Sequence, residues 1–194
     1  MLLPLSSAWI IHAVLCYFYL GSVSVVHGLT IGPNTKGVEQ RSSDTCADPS
    51  LAEVYKAGFS PSQRAHIVQR ASVFINENTI GADWQVQQDA FLAWGTPQQF
   101  TIPLYAYFNP TTLDYVYIAS SNGVPPSPAG FSLVGPVAYV YGAQECGSVP
   151  LFVVFQDVAG DHFLTTSTTQ RDELIALGWI DSGVVAFVLP LATW

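Results

Sequence analysis

The fold is indicated by one stretch near the C-terminus, Pro150-Leu-Phe-Val-Val-Phe-Gln-Asp-Val-Ala-Gly-Asp-His-Phe-Leu-Thr-Thr-Ser167. A less regular copy of it occurs earlier, as Pro103-Leu-Tyr-Ala-Tyr-Phe-Asn-Pro-Thr-Thr-Leu-Asp-Tyr-Val-Tyr-Ile-Ala-Ser120. Asp114 and Asp161 occupy matching places in the two copies, 47 residues apart. A period of this length is typical of repeat proteins, in which one small unit cannot bury its own apolar face and packs against its neighbours.

The unit that contains the quoted stretch has the clearest pattern. Two β-branched and aromatic runs, Leu151–Phe155 and His162–Thr165, predict a β-hairpin. A helix should follow, capped by one of the hydroxyl residues at 167–169. Trp179-Ile180 and Val184–Val188 then predict a closing strand. The predicted unit is therefore strand, strand, helix, strand.

The preceding unit repeats the strands but not the helix. Leu104–Phe108 and Tyr115–Ile118 predict the hairpin, and Val137–Tyr141 predicts the closing strand. The helix position is taken by Ser121–Gly130, which contains three prolines. Proline removes a backbone donor and clashes with the preceding helical turn, so this segment is predicted to be a loop.

A first and most divergent unit fits the same template over Val54–Val68, Ala82–Trp84 and Ala90–Trp94, with Ala65 where the later units have aspartate. Three units of nearly equal length predict a mainly β fold with short helices (α+β). We expect the strand-strand-helix/loop-strand repeats to form a closed, pseudo-threefold domain over residues 46–194, and an open stack of three is the alternative. The predicted units span about 46–98, 99–145 and 146–194.

The N-terminal segment has a different character. An apolar run at Ala8–Leu20 is followed by small residues up to Gly28, which predicts a secretory signal peptide over residues 1–28 and a secreted, extracellular protein. A membrane anchor is the alternative, because the apolar region approaches the ~20 residues that span a bilayer. Residues 29–45 are polar and without periodicity, which predicts a flexible tail.

Two cysteines remain once the predicted signal peptide is removed, Cys46 and Cys146. An even pair in an oxidising compartment predicts one disulfide, with two buried free thiols as the alternative. The formal charge of −8 argues against nucleic acid or an anionic membrane as partner, because both attract basic surfaces. We expect a monomer without a cofactor or a metal ion, since few histidines are left to serve as ligands.

Several segments of the last unit resemble a family of secreted three-repeat proteins of unknown function. The resemblance is carried by Val149-Pro-Leu-Phe152, Gly160-Asp-His-Phe-Leu-Thr-Thr-Ser167 and Gly183-Val-Val-Ala-Phe-Val-Leu-Pro190. In that family each unit reads Pro-Leu-Tyr, Asp-His-Phe-Tyr-Thr-Thr, Leu-Gly-Tyr and Gly-Tyr-Val. The resemblance extends over about residues 46–190. It implies export and, in other members, attachment to enzymes that act on cell walls or proteins, but it implies no established activity.

The repeated Asp-His turn supplies the candidate ligand site. The pair is intact only as Asp161-His162, and unit two has Asp114-Tyr115 instead. A carboxylate and an imidazole can both bond sugar hydroxyls, so the expected site consists of Asp161, His162, Thr165, Thr166, Asp114 and Tyr115. The alternative is that these polar turns only hold neighbouring units together.

An enzymatic function is not expected. Ser132 misses the spacing of a nucleophile elbow by one residue. Asp114 and Asp161 could form the carboxylate pair of a glycosidase, but Ala65 breaks the repeated set. The sequence therefore favours a secreted, non-catalytic recognition protein for extracellular polysaccharide or a surface protein. The alternatives are a structural or protein-binding module and, less favoured, a secreted hydrolase.

Overall fold

The computed structural model describes residues 45–77 and 83–191, so the predicted signal peptide and nearly all of the predicted tail lie outside the described residues. A short 3-10 helix at Pro49–Leu51 precedes the regular elements. These are β1 (Glu53–Ser60), β2 (Ala65–Arg70), α1 (Ala71–Glu77), β3 (Gln85–Ala93), β4 (Ile102–Asn109), β5 (Asp114–Ala119), β6 (Ser132–Val140), β7 (Val149–Gln156), β8 (Asp161–Thr165), α2 (Thr168–Ala176) and β9 (Ile180–Val188).

Each predicted unit forms its own antiparallel three-stranded sheet with the first strand in the middle. The strand orders are β2-β1-β3, β5-β4-β6 and β8-β7-β9. The three second strands contact one another in every pairwise combination. The ends of the third strands also pair, through Leu92 with Leu189, Trp94 with Tyr139 and Tyr141 with Phe187. The predicted β-rich, pseudo-threefold closed domain is therefore confirmed, because every sheet contacts both others.

Two of the third strands begin earlier than the sequence pattern predicted. Strand β3 begins at Gln85 instead of Ala90 and β6 at Ser132 instead of Val137, whereas β9 runs from Ile180 to Val188, close to its predicted range. Each third strand shifts register twice against its central strand. Such bulges break the two-residue alternation by which strands are recognised, and Gly135 and Gly183 supply positive φ within β6 and β9.

The core lies where equivalent side chains of the three units meet. Tyr55, Leu104 and Leu151 hold the same place on the three central strands and are fully buried. Tyrosine hydroxyls add hydrogen bonds between units: Tyr55 Oη donates to the Val137 carbonyl at 2.8 Å, and the backbone N–H of Val68 donates to Tyr117 Oη at 2.8 Å. Because each unit contributes only part of this core, the units stabilise one another.

The connection between the second and third strands differs among the units, as predicted for units two and three. In unit three, Ser167 caps α2 by accepting a hydrogen bond from the Gln170 N–H at 3.2 Å. In unit two, Ser121–Gly130 contains no helix and no strand. The hydroxyls of Tyr105 and Tyr107 donate to carbonyls of this loop instead. Neither α1 nor α2 is long and apolar enough to cross a membrane, within the described ranges.

The segment ahead of β1 is fastened to the far end of the repeat array. Cys46 and Cys146 form a disulfide across 100 residues, as predicted. Beside it, the Ala47 N–H donates to Tyr141 Oη at 3.0 Å, and Trp94 Nε1 donates to the Asp48 carbonyl at 2.7 Å. The disulfide ties the start of unit one to the start of unit three, the Ala47 contact joins it to the end of unit two, and the Trp94 contact lies within unit one.

Candidate functional site

The carboxylate of Asp161 bonds a residue of another unit and not its sequence neighbour His162. Asp161 Oδ1 accepts the backbone N–H of His66 at 2.8 Å, and Asp161 Oδ2 lies 2.6 Å from His66 Nδ1. Asp161 begins β8 of unit three, whereas His66 lies in β2 of unit one. One aspartate therefore holds both the backbone and the ring of one histidine across the junction of these two units.

The same arrangement joins unit two to unit three. Asp114 Oδ1 accepts the backbone N–H of His162 at 3.1 Å, and Asp114 Oδ2 lies 2.7 Å from His162 Nδ1. We call each such arrangement an Asp–His clasp. Asp161 and His162 are adjacent in sequence but belong to different clasps, so their side chains bond to different units.

The third junction, between units one and two, has an apolar contact in place of a clasp. Ala65 stands at the aspartate position and Tyr115 at the histidine position. Tyr115 packs against a buried cluster that includes Ala65 and Trp84, and the Trp84 and Tyr115 rings meet edge to face at 6.0 Å. Ala65 and Tyr115, the two departures from the repeated Asp-His pattern, therefore belong to the same junction.

An aromatic ring supports the clasp position in every unit. Phe59 packs on His66 with ring centroids 4.7 Å apart, and Phe155 packs on His162 at 4.4 Å. Phe108 packs on Tyr115 at 4.8 Å in the same cross-strand register. The equivalent geometry shows that the three positions correspond, although their chemistry differs.

Most of the predicted ligand residues face neighbouring units and not open solvent. Asp114 is only 3% exposed and Asp161 only 4%. Thr165 is also buried, and its hydroxyl donates to Gln170 Oε1 at 2.6 Å and accepts the Ser167 N–H at 3.0 Å. Thr166 is half-buried, with its hydroxyl 3.4 Å from the Ala90 carbonyl.

An open groove lies between units one and three, on the outer side of the Asp161–His66 clasp. Its volume is about 280 Å³. Its lining residues are two aromatic side chains, three amides, one imidazole and one leucine: Phe163, Trp179, Gln87, Gln88, Gln170, His66 and Leu174. We call it the interunit groove. A second, more polar depression of about 390 Å³ adjoins it and shares Gln88 and Gln170 with it.

Sequence reasoning missed the glutamines of the groove and the role of His66. The signal was present in β3, where Gln87 and Gln88 place polar side chains at positions that are Val134 and Gly135 in unit two. Its significance depends on α2 and β8 of unit three lying opposite, which no local pattern reveals.

The groove is suited to a neutral, hydroxyl-rich ligand. Amide side chains both donate and accept hydrogen bonds, and an aromatic ring offers a flat apolar face. Asp89 is the carboxylate that follows Gln88 in β3, and it forms an ion pair with Lys56. Among residues 45–77 and 83–191, no group of three or more His, Cys, Asp or Glu side chains is placed to hold a metal ion.

The comparison with protein families places the repeats in a known group. Residues 53–189 match the family described as Domain of unknown function (DUF5648). This span contains all nine strands and both α-helices described above. No significant match was found among curated proteins or among solved structures. Because the match extends over well over half of the sequence, the chain belongs to this family of unknown function, as a domain of three similar sheets.

Proposed function

We propose that this chain is a secreted, non-catalytic recognition protein that binds a neutral cell-wall or surface polysaccharide in the interunit groove. The observation that carries the proposal is that Trp179 shares one open groove with Gln87, Gln88 and Gln170. Sugar rings present apolar C–H faces that stack on aromatic rings, and their hydroxyls pair with amides. The Cys46–Cys146 disulfide supports secretion, because such bonds persist in oxidising compartments.

A second candidate function is a structural or protein-binding module without a small ligand. It is favoured by the two clasps, in which the buried carboxylates of Asp114 and Asp161 are used between units. A clasp explains the burial of these residues without a ligand, since a buried carboxylate requires hydrogen-bond donors. It does not explain the open groove beside Trp179.

The test is a pull-down of the mature protein with insoluble polysaccharides, together with a glycan array. Trp179→Ala removes the aromatic face, and we expect binding to weaken about tenfold, or ~1.4 kcal/mol. The melting temperature should change little, because Trp179 is only partly buried. The matched control is Leu177→Ala, which removes an apolar side chain that is 79% exposed and does not line the groove.

Two outcomes would contradict the proposal. Equal binding by wild type and Trp179→Ala would exclude the groove as the site. Absence of binding by the wild type to any polysaccharide in a broad screen would remove the carbohydrate function and leave the structural or protein-binding module.

A further inference from the structure

We propose that Asp161 determines the hydrogen-bonding character of the interunit groove by holding His66 as the Nδ1-protonated tautomer, so that His66 Nε2 accepts a hydrogen bond from a sugar hydroxyl. This inference rests on the proposed function and names the atom that selects the ligand. Asp161 is a positioning residue here, because it acts on the polysaccharide through His66.

The first step concerns where the ring proton lies. An ionised carboxylate can only accept hydrogen bonds, so the 2.6 Å contact between Asp161 Oδ2 and His66 Nδ1 requires the proton on Nδ1. A neutral imidazole carries one N–H, which leaves Nε2 as an acceptor. Because Asp161 Oδ1 also takes the backbone N–H of His66, the carboxylate is fixed relative to the ring.

The second step concerns the direction in which Nε2 points. The ring packs on Phe59 at 4.7 Å and meets the edge of Phe163 at 4.9 Å, so it cannot turn freely. His66 Nε2 lies 3.4 Å from the Gln87 side-chain nitrogen, and both residues line the groove with Trp179. Gln87 is exposed, so its amide can give way to a hydroxyl that donates to the same nitrogen.

The third step is the comparison with the other clasp. Asp114 holds His162 by the same two hydrogen bonds. His162 does not line the interunit groove, whereas His66 does. The two clasps therefore share their contribution to folding, and only that of Asp161 and His66 is placed to affect a ligand in this groove. This makes Asp114 a matched control.

The experiment uses Asp161→Asn and Asp114→Asn in the mature protein. Asparagine keeps the size of aspartate and can still accept the backbone N–H, but its amide donates to Nδ1 and so moves the ring proton to Nε2. Histidine ¹⁵N chemical shifts report the tautomer of His66 and His162 without any ligand. Binding is measured with four neutral probes: cellohexaose, laminarihexaose, xylohexaose and chitohexaose, and with the insoluble polysaccharides from which they derive.

We expect wild-type His66 to carry its proton on Nδ1. In Asp161→Asn the proton should move to Nε2, and affinity for the bound probe should fall about tenfold, the size of one lost hydrogen bond. Asp114→Asn should change the tautomer of His162 and leave affinity unchanged. His66→Asn should weaken binding by a similar factor, because it lacks Nε2. Its amide can replace Nδ1 as the donor to Asp161, so this variant is the second test if Asp161→Asn does not fold.

The outcomes separate this inference from the proposed function. If wild type binds a probe but Asp161→Asn or His66→Asn binds it equally well, the inference is wrong and the proposed function stands. A proton on Nε2 of wild-type His66 would likewise overturn the inference alone. If wild type binds none of the probes or polysaccharides, the proposed function fails and this inference fails with it.

Discussion

At the scale of single residues, the three junctions between units use two kinds of contact at equivalent positions. Two junctions bury a carboxylate against a histidine, and the third buries Ala65 against Tyr115. Replacing both members of a buried polar pair by apolar groups can leave stability nearly unchanged, whereas removing one member leaves the other without a partner. At the third junction Ala65 and Tyr115 replace the carboxylate and the imidazole together, so no imidazole is left facing an alanine.

Asp114→Ala should lower the free energy of unfolding by about 1–3 kcal/mol, because the His162 backbone N–H and Nδ1–H lose their acceptor. The double variant Asp114→Ala with His162→Tyr reproduces the composition of the Ala65–Tyr115 junction and should recover part of that loss. Urea unfolding of both variants measures the difference. A double variant less stable than the single one would contradict the equivalence of the three junctions.

At the scale of elements, the connection between the second and third strands of unit three supplies one wall of the interunit groove. Helix α2 contributes Gln170 and Leu174 to its wall. In unit two the corresponding Ser121–Gly130 loop is bonded by the hydroxyls of Tyr105 and Tyr107. A loop rich in proline cannot present side chains at helical spacing, so unit two lacks this wall.

Ser167→Ala should destabilise the domain by about 1 kcal/mol, because the Gln170 N–H loses the side-chain oxygen that caps α2. Binding should weaken with it, since fraying of the first turn displaces Gln170 from the groove. Urea unfolding and the polysaccharide pull-down measure the two effects. The control is Thr169→Ala, an exposed hydroxyl in the same turn, and an equal loss in both variants would argue against a capping role.

At the scale of the whole molecule, the disulfide closes the repeat array. Cys46 precedes unit one, Cys146 precedes unit three, and the bond spans 100 residues. Constraining a loop of that length disfavours the unfolded chain by up to about 5 kcal/mol in the chain-entropy estimate. Cys146 packs against a buried cluster of Ala47, Trp94, Tyr141 and Leu189, so the constraint lies where all three units meet.

Replacing both cysteines by serine should therefore lower the free energy of unfolding by about 3–5 kcal/mol, and reduction of the wild type should produce the same unfolding midpoint. Intact mass of the protein recovered from a secretory expression host, with and without reduction and alkylation, checks the bond directly. We expect a chain that starts near Leu29 and has no free thiol before reduction. Two alkylated cysteines without reduction, or a chain that retains Trp9, would contradict this expectation.

Much of the architecture follows from local sequence. The 47-residue spacing of Asp114 and Asp161 predicts the repeat, and the hairpin runs and the hydroxyl residues at 167–169 predict the sheets and α2, because these last signals depend on residues close together in the chain. The disulfide follows from composition, since only Cys46 and Cys146 remain outside the predicted signal peptide. The early part of β6 was missed because bulges interrupt the alternation that marks a strand.

The sequence by itself determined that this protein is built of three β units, since apolar periodicity records which side of each strand faces the core, and it predicted one disulfide. Only the tertiary structure decided that the array is closed and which partner each repeated aspartate has. Asp161 is bonded to His66, 95 residues away, and not to the adjacent His162. Neighbouring side chains on a strand point to opposite faces, so the partner comes from the next unit about the pseudo-threefold axis. The interunit groove likewise depends on the tertiary structure. Its walls come from units one and three, which closure of the array brings together.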